Sequence, residues 1–400
     1  MTSRADAVTA ARWGAVMLGN YGTPRIELSH GSGAQVWDRQ GNQYTDLLAG
    51  IAVSTLGHGD PRIVAAVTSQ AAQLAHCSNF YAHEPGLLLA ERLLKLADSR
   101  GRVLFTQDGA TANEAALKLA RRYGLQLDPS GGKQVVVAMN GGFHGRTMGA
   151  LAVTGNPAKR DPFAPFGIEV KFLDYGDFAA LSAVDASVAA VIAEPIQGEG
   201  GMVVPPPGYL AAVRRACDDA QALLIVDEVQ SGIGRTGNWF ASIAQGVRPD
   251  LLTLAKGLAG GLPLGAVIVE PQFADVLKPG DHGTTFGGNP VSCAAALAVL
   301  DAIEADGLLE HVQELGERLA ERLHRLRLPR IREVRGAGLW LGIRFDADIA
   351  AAVEQAAFEA GFLVNAVKAD VLRLAPPLNI TWAELDGFVR ELPRILEEVS

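Results

Sequence analysis

The chain has 400 residues, with 35 Lys and Arg against 44 Asp and Glu, so its formal net charge is −9. This acidic balance argues against a nucleic-acid or anionic-membrane partner. A hydrophobic content of 48% with 20% charged residues excludes global disorder. At about 150 residues per domain, the length predicts two or three domains.

The N-terminal region and the cysteines together predict a cytoplasmic protein. Residues 1–21 carry charges and only a short apolar run, so they lack the apolar core of a signal peptide. The sequence has no run of 18 apolar residues, which a membrane-spanning helix would need. Cys77, Cys217 and Cys293 are far apart and belong to no Cys/His cluster, which indicates a reduced compartment and no metal site.

In chain order, the first predicted element is a hairpin formed by Gln35–Asp38 and Gln43–Leu47 around a turn at Arg39–Gly41. The central region then alternates helical patterns, such as Ala112–Tyr123 and Gly208–Gln221, with short apolar runs. Each run reads as a strand buried on both faces. These predicted strands are Val135–Ala138, Val188–Ala193, Leu223–Val226, Leu251–Ala255 and Gly265–Val269. The alternation predicts an α/β fold with a mostly parallel central sheet.

The two ends of the chain differ from this central pattern. Residues 282–300 read as a loop followed by a buried helix, residues 308–328 as a charged amphipathic helix, and residues 335–400 as further strands and a final helix. We therefore predict a large domain over residues 51–290. A smaller α+β domain would be built from residues 1–50 and 291–400.

The segment Leu223–Gln230 is an apolar strand that ends in two adjacent carboxylates, Asp227 and Glu228. Ligands in open α/β sheets bind at the carboxyl ends of the strands. A strand that ends in Asp-Glu also occurs in nucleotide hydrolases, but they need a GxxxxGK[ST] loop that this chain lacks. The simpler alternative is a carboxylate that caps the next turn.

Lys256 follows the next predicted strand and precedes a glycine-rich turn. A lysine among small apolar residues is desolvated, which lowers its pKa and makes a neutral amine available as a nucleophile toward a carbonyl. A surface lysine in a loop is the alternative interpretation.

Two further segments have the composition of a ligand site. In Thr106–Glu114 a turn of small residues opens a helix, whose free N–H groups favour a phosphate. The alternative is an ordinary N-cap by Asp108 or Thr111. In Gly141–Thr147, Phe143 stands between glycines and could stack on a flat ligand, whereas Arg146 could pair with a carboxylate. A core Phe in a turn is the simpler alternative.

Taken together, these features meet the requirements of pyridoxal 5′-phosphate. The chain supplies a lysine that can condense with an aldehyde, a carboxylate for a pyridinium nitrogen, an anion-binding helix start and an aromatic side chain for the ring. Each feature alone is weak evidence, but their conjunction predicts a pyridoxal-phosphate enzyme.

The chain resembles the class III, fold type I, pyridoxal-phosphate-dependent aminotransferases over almost its whole length, from Asn20–Pro24 to Arg373–Pro377. The matching motifs are Gly142–Thr147, Glu194–Glu199, Val226–Gln230, Thr253–Gly257 and His282–Pro290. The resemblance implies the fold type I architecture, a large domain with a mostly parallel sheet and a smaller α+β domain.

The resemblance also implies the roles of the cofactor-binding residues. Lys256 would link covalently to the cofactor and later move the substrate proton, and Asp227 would keep the pyridine nitrogen protonated. Gln230 would reach the phenolic oxygen and Phe143 would stack on the ring. The remaining implied contacts are with the phosphate, made by Gly109, Ala110 and, from the other subunit, Thr285. The implied assembly is therefore a homodimer with shared active sites.

The implied substrates are an ω-amine such as N-acetylornithine and the acceptor 2-oxoglutarate, which has two carboxylates. Arg146 and Arg373 could each pair with a carboxylate. In related enzymes the glutamate that matches Glu199 forms an ion pair with the arginine that matches Arg373 during the amine half-reaction. It then swings away, so that the arginine can bind the α-carboxylate of 2-oxoglutarate. Thr284, Tyr21 and Asn79 are further candidate substrate-pocket residues. We interpret His144 as a packing or positioning residue, because Lys256 already supplies the base.

The phosphate turn departs from the family, which usually reads Ser-Gly-Ala-Glu where this chain reads Asp108–Thr111. An ionised carboxylate cannot donate a hydrogen bond to a phosphate. We expect Asp108 to cap the helix at Ala112 or Asn113 while the backbone alone holds the phosphate. The alternative is weakened cofactor binding.

Several functions remain as alternatives. The amine could be free ornithine, N-succinyl-diaminopimelate or another ω-amine of a specialised pathway. The chemistry could be that of an aminomutase or a decarboxylase, but Arg146, Arg373 and Glu199 favour an acceptor with two carboxylates, as transamination needs. A non-catalytic binding protein is disfavoured because Lys256 and Asp227 are both present.

Overall fold

A computed structural model of the chain describes residues 4–399, with side chains from residue 8 onward. The remaining residues, at the outer ends of the two predicted terminal segments, lie outside the described part. The helices are α1 (Arg4–Val16), α2 (Ala49–Ala52), α3 (Pro61–Gln73), α4 (Glu84–Leu96), α5 (Gly109–Leu127), α6 (Met148–Ala152), α7 (Pro157–Arg160), α8 (Tyr209–Ala220), α9 (Ala241–Ala244), α10 (Pro290–Ala305), α11 (Leu308–Arg325), α12 (Ala350–Glu359) and α13 (Trp382–Glu398).

The strands form one central sheet and two peripheral sheets. They are β1 (Leu28–Ser32), β2 (Gln35–Asp38), β3 (Gln43–Asp46), β4 (Arg102–Thr106), β5 (Val135–Met139), β6 (Val170–Leu173), β7 (Val188–Ala193), β8 (Leu223–Asp227), β9 (Leu251–Leu254), β10 (Gly265–Val269), β11 (Ile331–Ala337), β12 (Trp340–Phe345), β13 (Phe362–Leu363), β14 (Asn365–Lys368) and β15 (Val371–Leu374).

The central sheet has the strand order β4-β10-β9-β8-β7-β5-β6. Its pairs from β9 to β6 are parallel, and β10 runs antiparallel to both β4 and β9. Every residue of β5, β7, β8, β9 and β10 is buried. Continuous runs of Val, Ile, Leu and Ala are what strands covered on both faces require. The predicted α/β fold with a mostly parallel sheet is therefore confirmed.

Helix α5 connects the sheet to the candidate site. Its buried face is rich in small residues, including Ala112, Ala115 and Ala116, which let the helix pack closely on the sheet. The helix begins at Gly109, three residues before the predicted start, because Asp108 caps it and Thr111 completes a capping box. The turn of small residues is therefore the first turn of the helix.

The two ends of the chain share a peripheral sheet of order β1-β2-β3-β13. The predicted hairpin is present as β2 and β3, and β13 pairs in parallel with β3, with Thr45 opposite Phe362 and Asp46 opposite Leu363. The other peripheral sheet, β11-β12-β15-β14, is antiparallel. Helix α10, after the proposed boundary at residue 290, packs on α3 and α4. The division at residues 50 and 290 stays a prediction.

Two features of the described part bear on the compartment and membrane predictions. Over residues 4–399, none of the helices combines the length and the apolar character needed to cross a membrane. Cys77, Cys217 and Cys293 are unbridged, and burial raises the pKa of both the Cys217 and the Cys293 thiol to about 12.

Candidate active site

A cavity of about 410 Å³ lies where β8 and β9 end and α5 begins. Its position follows the rule that parallel strands direct their carboxyl ends toward one edge of the sheet. Most of the site residues predicted from the sequence line it, namely Gly109, Ala110, Phe143, Arg146, Glu199, Asp227, Gln230 and Lys256. The side chain of Arg373 contacts the cavity residue Glu199.

Asp227 is the last residue of β8, and its carboxylate is held by three donors. Its Oδ2 accepts hydrogen bonds from Asn113 Nδ2 at 2.7 Å and from His144 Nδ1 at 2.8 Å, and its Oδ1 accepts one from the Val229 amide at 3.0 Å. Asn113 is oriented in turn by Thr253, whose hydroxyl donates to Asn113 Oδ1 at 2.8 Å. A buried carboxylate with several donors is fixed in place.

His144 is buried against Asp227. Burial acts to lower the pKa of His144, but the hydrogen bond and negative charge of Asp227, together with the charge of Glu194, outweigh it, so the pKa is raised. Its Nδ1 therefore donates a proton toward Asp227. These contacts agree with the interpretation of His144 as a positioning residue.

Glu194 is a cavity residue that the sequence analysis did not select. Its carboxylate accepts hydrogen bonds from the Phe143 amide at 2.9 Å and the Gly198 amide at 3.2 Å, so it joins two loops of the cavity wall. Burial raises the pKa of Glu194 to about 7, with Asp227 adding to the shift and His144 opposing it. Glu194 directly follows β7, so the signal that revealed Asp227, a carboxylate at the end of an apolar strand, was also present here.

Lys256 opens a 3₁₀ turn, Lys256–Ala259, directly after β9. Its φ is +39°, a left-handed conformation that costs a non-glycine residue about 1–3 kcal/mol and occurs mostly at functional sites. The hydroxyl of Thr55 donates to the Gly257 carbonyl at 2.6 Å and holds this turn. Desolvation lowers the pKa of Lys256, and Arg373 adds to this, while Glu199, Asp227 and Glu194 oppose it. The direction of this shift agrees with the expectation from the sequence, and Lys256 is half-buried.

The start of α5 forms one wall of the cavity. Asp108 Oδ1 accepts from the Thr111 amide at 2.8 Å, so the predicted capping role is confirmed, at Thr111 rather than at Ala112 or Asn113. The amides of Gly109 and Ala110 are the first in the helix and have no carbonyl partner within it. A Cβ on Gly109 would lie 2.6 Å from Val229 Cγ1, so the close approach of these two segments requires glycine.

Arg373 and Glu199 form an ion pair at the far side of the cavity. Arg373, on β15, is 2% exposed and donates from Nη1 to Glu199 Oε1 at 2.7 Å and from Nη2 to Asn365 Oδ1 at 2.8 Å. Burial acts to raise the pKa of Glu199, but the adjacent Arg373 outweighs it, and the pKa is lowered. Among the described residues, Arg373 Nε has no hydrogen-bond partner.

Phe143 and Arg146 lie between β5 and α6 and line the cavity. The Arg146 guanidinium carbon is 5.6 Å from the centroid of the Phe143 ring, and the Arg146 side chain is exposed at the cavity mouth. A guanidinium at this position is accessible to a carboxylate that enters from solvent.

The structure leaves four predicted substrate or cofactor residues outside the cavity, namely Tyr21, Asn79, Thr284 and Thr285. Tyr21 is 87% exposed, and Thr285 is exposed beside the half-buried Thr284. The loop that carries these threonines is held by Asn79, whose Nδ2 donates to the carbonyls of Thr284 at 3.1 Å and Gly287 at 3.3 Å. Within one chain, therefore, Thr284 and Thr285 do not line the cavity that holds Lys256.

The cavity residues fit pyridoxal 5′-phosphate. The helix start offers free amides for a phosphate, and Asp227 offers a fixed anion for a pyridinium nitrogen. Gln230 is 7% exposed, and its Nε2 has no partner within the described part of the chain, which leaves a buried donor for a ligand oxygen. A search of the described residues finds no group of His, Cys, Asp and Glu that could hold a metal ion.

Comparisons with known proteins agree with this geometry. The family model described as aminotransferase class-III matches residues 18–396. An acetylornithine aminotransferase of Mycobacterium tuberculosis is 53% identical over 398 residues, which is 99% of this chain and 98% of that protein.

Solved structures of aminotransferases superpose closely on the chain. The crystal structure of the ornithine aminotransferase from Toxoplasma gondii ME49 has a TM-score of 0.94 at 35% identity and covers 98% of this chain and 95% of that one. The N-acetylornithine aminotransferase from Stenotrophomonas maltophilia K279a has a TM-score of 0.84 at 36% identity, with coverage of 96% and 98%. The predicted fold type I architecture and the predicted cofactor are confirmed. The chain belongs to the class-III aminotransferases and is a pyridoxal-phosphate-dependent enzyme.

Proposed function

We propose that the enzyme transfers the terminal amino group of N2-acetyl-L-ornithine to 2-oxoglutarate, giving N-acetyl-L-glutamate 5-semialdehyde and L-glutamate by a ping-pong cycle. The observation that carries the proposal is the Glu199–Arg373 ion pair in the same cavity as Lys256. If Glu199 can either pair with Arg373 or leave it, the same arginine can serve two substrates. N-acetylornithine has one carboxylate, whereas 2-oxoglutarate has two. The acetylornithine aminotransferase relative at 53% identity supports this choice of amine.

The chemistry at the reacting centre is assigned to Lys256 and Asp227. When bound, the cofactor supplies an electron sink for the substrate carbon. Asp227 holds a proton on the ring nitrogen, since a nearby anion favours the protonated form. The amine of Lys256, with its lowered pKa, would accept the proton from the substrate carbon that bears the amino group.

The cofactor is positioned by the remaining cavity residues. The free amides of Gly109 and Ala110 bind the phosphate at the positive end of α5. Phe143 would pack against the ring, and the unpartnered Nε2 of Gln230 would donate to the phenolic oxygen. Asn113 and His144 orient Asp227 and leave it no freedom to turn away.

The substrates are selected by two arginines. Arg146, exposed at the cavity mouth, binds the carboxylate shared by both substrates. In the amine half-reaction Glu199 stays on Arg373 and neutralises it, because N-acetylornithine has no second carboxylate. In the second half-reaction Glu199 leaves, and Arg373 binds a carboxylate of 2-oxoglutarate.

Free ornithine is the second candidate amine, because the ornithine aminotransferase from Toxoplasma gondii superposes with a TM-score of 0.94. The two amines differ by the acetyl group, which removes the positive charge at the α-nitrogen. N-succinyl-diaminopimelate and other ω-amines remain further alternatives on the same cavity, as does other pyridoxal-phosphate chemistry such as that of an aminomutase.

We also propose a homodimer with shared active sites. The Thr284–Thr285 loop is held firmly, yet it presents Thr285 to the outside, where a second chain could receive it. Large apolar side chains are exposed around the loop, including Phe80 at 92%, Tyr81 at 72% and Phe286 at 60%. Apolar surface of this kind marks a protein interface. A cytoplasmic location and a role in arginine biosynthesis follow from the same proposal.

The proposal is tested with the purified holoenzyme and each substrate alone. N-acetylornithine should abolish the long-wavelength absorbance of the bound cofactor, and 2-oxoglutarate should restore it after the amine is removed. Ornithine and N-succinyl-diaminopimelate, run in parallel, should react at least about tenfold more slowly in kcat/KM, a discrimination within what one recognised group supplies. A faster reaction with either of them would transfer the proposal to that amine.

A further inference from the structure

Lys159 contacts the same carboxylate that Arg373 holds. Its Nζ lies 3.4 Å from Glu199 Oε2, while Arg373 Nη1 lies 2.7 Å from Glu199 Oε1. The Lys159 Nζ also lies 5.3 Å from the centroid of the Phe143 ring. Glu199 thus stands between two cations, each of which contacts a different oxygen.

The position of Lys159 is fixed by its helix. Helix α7 is capped by Asn156, whose side chain accepts from the Lys159 amide at 3.3 Å. The neighbouring Arg160 donates to the Thr154 carbonyl at 3.3 Å, and its guanidinium carbon lies 4.2 Å from the centroid of the Phe172 ring. With α7 held in this way, Lys159 lies beside the cavity residues Glu199 and Phe143.

The two cations differ in their environment. The side chain of Arg373 is 2% exposed, whereas that of Lys159 is 33% exposed. Arg373 also keeps a second acceptor, Asn365 Oδ1 at 2.8 Å, which does not depend on Glu199. Glu199 can therefore leave Arg373 without freeing the guanidinium completely, but the departing carboxylate needs a cation, because a half-buried anion without one is costly.

We propose that Lys159 is a positioning residue that receives Glu199 when a substrate carboxylate replaces it on Arg373. The inference rests on the proposed function, in which one arginine serves two substrates in turn. Glu199 Oε2 already contacts Lys159. A rotation of the Glu199 side chain can therefore break its ion pair with Arg373 and keep the one with Lys159. Lys159 thereby determines how readily Glu199 leaves Arg373 and allows a dicarboxylate to bind there.

The inference predicts an effect on dicarboxylates that depends on Glu199. Without Lys159, Glu199 stays on Arg373 more firmly and competes better with the incoming carboxylate. We expect Lys159→Met to weaken dicarboxylate binding about fivefold, which corresponds to about 1 kcal/mol at 25 °C. The amine half-reaction leaves Glu199 on Arg373, so its rate should change much less than that of the acceptor half-reaction.

The experiment is a double-mutant cycle on the holoenzyme. The dissociation constant of glutarate, a dicarboxylate with no reactive carbonyl, is measured by calorimetry for the parent, Lys159→Met, Glu199→Gln and the double variant. The rates of the two half-reactions are measured in parallel. Lys171→Met is the matched control. Lys171 is similarly exposed, its Nζ lies 3.1 Å from Asp185 Oδ2, and neither residue lines the cavity. Lys159→Arg, which keeps the charge, should behave as the parent.

A fivefold loss in the parent background and less than a twofold change in the Glu199→Gln background would support the inference. Equal losses in both backgrounds would mean that Lys159 attracts the ligand directly, and no loss in the parent background would mean that Glu199 does not use it; either result overturns the inference. A parent enzyme that neither binds glutarate nor exchanges amino groups with 2-oxoglutarate would instead contradict the proposed function itself.

Discussion

The floor of the cavity, formed by Lys256, Asp227 and the residues that hold Asp227, differs from the Thr284–Thr285 loop in how it contributes to an active site. The floor is complete within one chain: Asp227 has three donors, and the residues that hold it are themselves held. The loop is anchored by Asn79, and its exposed Thr285 does not line the cavity that holds Lys256. The exposed apolar surface next to Thr285 is typical of a protein interface. The floor therefore serves the cofactor, whereas we assign the loop to the dimer.

The largest effect is expected at the floor, from Lys256→Ala. Without the amine that moves the substrate proton, the first half-reaction should slow by at least about a thousandfold. Stopped-flow absorbance of the holoenzyme with N-acetylornithine measures this rate. Lys171→Ala, which removes a surface lysine paired with Asp185, is the control and should react as the parent does. A parental rate for Lys256→Ala would refute the assignment of the base.

The next effect concerns Asp227→Asn, which keeps the shape of the side chain and removes its charge. The ring nitrogen then loses the anion that keeps it protonated, and the same half-reaction should slow by about a hundredfold or more. Asp185→Asn, on the surface, is the matched control. A loss of less than about threefold would indicate that the charge of Asp227 serves only to hold His144.

The loop can be tested by Thr285→Asp, which would bring a negative charge to the phosphate of the partner's site. Lys256→Ala and Thr285→Asp homodimers should each be almost inactive. After the two proteins are unfolded and refolded together in equal amounts, random pairing should restore about a quarter of parental activity, because half the dimers would have one intact site of two. Mixing that restores nothing would place Thr285 in the site of its own chain.

A smaller effect is expected from Asn113→Ala, one contact away from the cofactor. The change removes a donor to Asp227 and the acceptor of Thr253, so the half-reaction should slow by about tenfold. Thr253→Val, which only releases Asn113, should have a weaker effect in the same assay. If Thr253→Val is as damaging as Asn113→Ala, the hydroxyl of Thr253 has a role beyond orienting the amide.

The smallest effect concerns the pH dependence of stability. Burial raises the pKa of Glu194 from its ordinary value of 4.5 to about 7, so the folded protein binds this proton more tightly than the unfolded chain does. The resulting stabilisation is complete below pH 4.5 and is lost as the pH rises through 7. The unfolding temperature of the parent, relative to that of Glu194→Gln, should fall by about 1–3 °C between pH 5 and pH 8 in thermal scans. A constant difference would contradict the raised pKa.

The residues that the sequence revealed are those whose local pattern is distinctive. Asp227 and Lys256 each follow an apolar strand, and the helix start at Gly109 follows a turn of small residues. Asn113 could not be found in this way, because it is an ordinary polar residue on a helix, and its partner Asp227 is 114 positions away. Lys159 gave no signal either, since only the packing of α7 brings it to Glu199.

Five of the seven strands of the central sheet, all except β4 and β6, were also predicted from local patterns. The bounds of β7 and β10 agree with the prediction, and those of β5, β8 and β9 differ by one residue at the C-terminal end. Continuous apolar runs leave little ambiguity about a buried strand. The antiparallel direction of β10 could not be predicted, because a buried strand has the same composition in either direction.

The reversed strand β10 has a consequence for the length of the chain around Lys256. A parallel strand at this place would need a crossover of a dozen or more residues, usually with a helix. Because β10 runs back beside β9, residues 255–264 alone connect them, and this short connection also supplies Leu262, Pro263 and Leu264 to the cavity wall. Inserting even one or two residues here would loosen the position of Lys256, although every residue around it would be unchanged. The spacing of this segment is thus as much a part of the catalytic apparatus as its side chains.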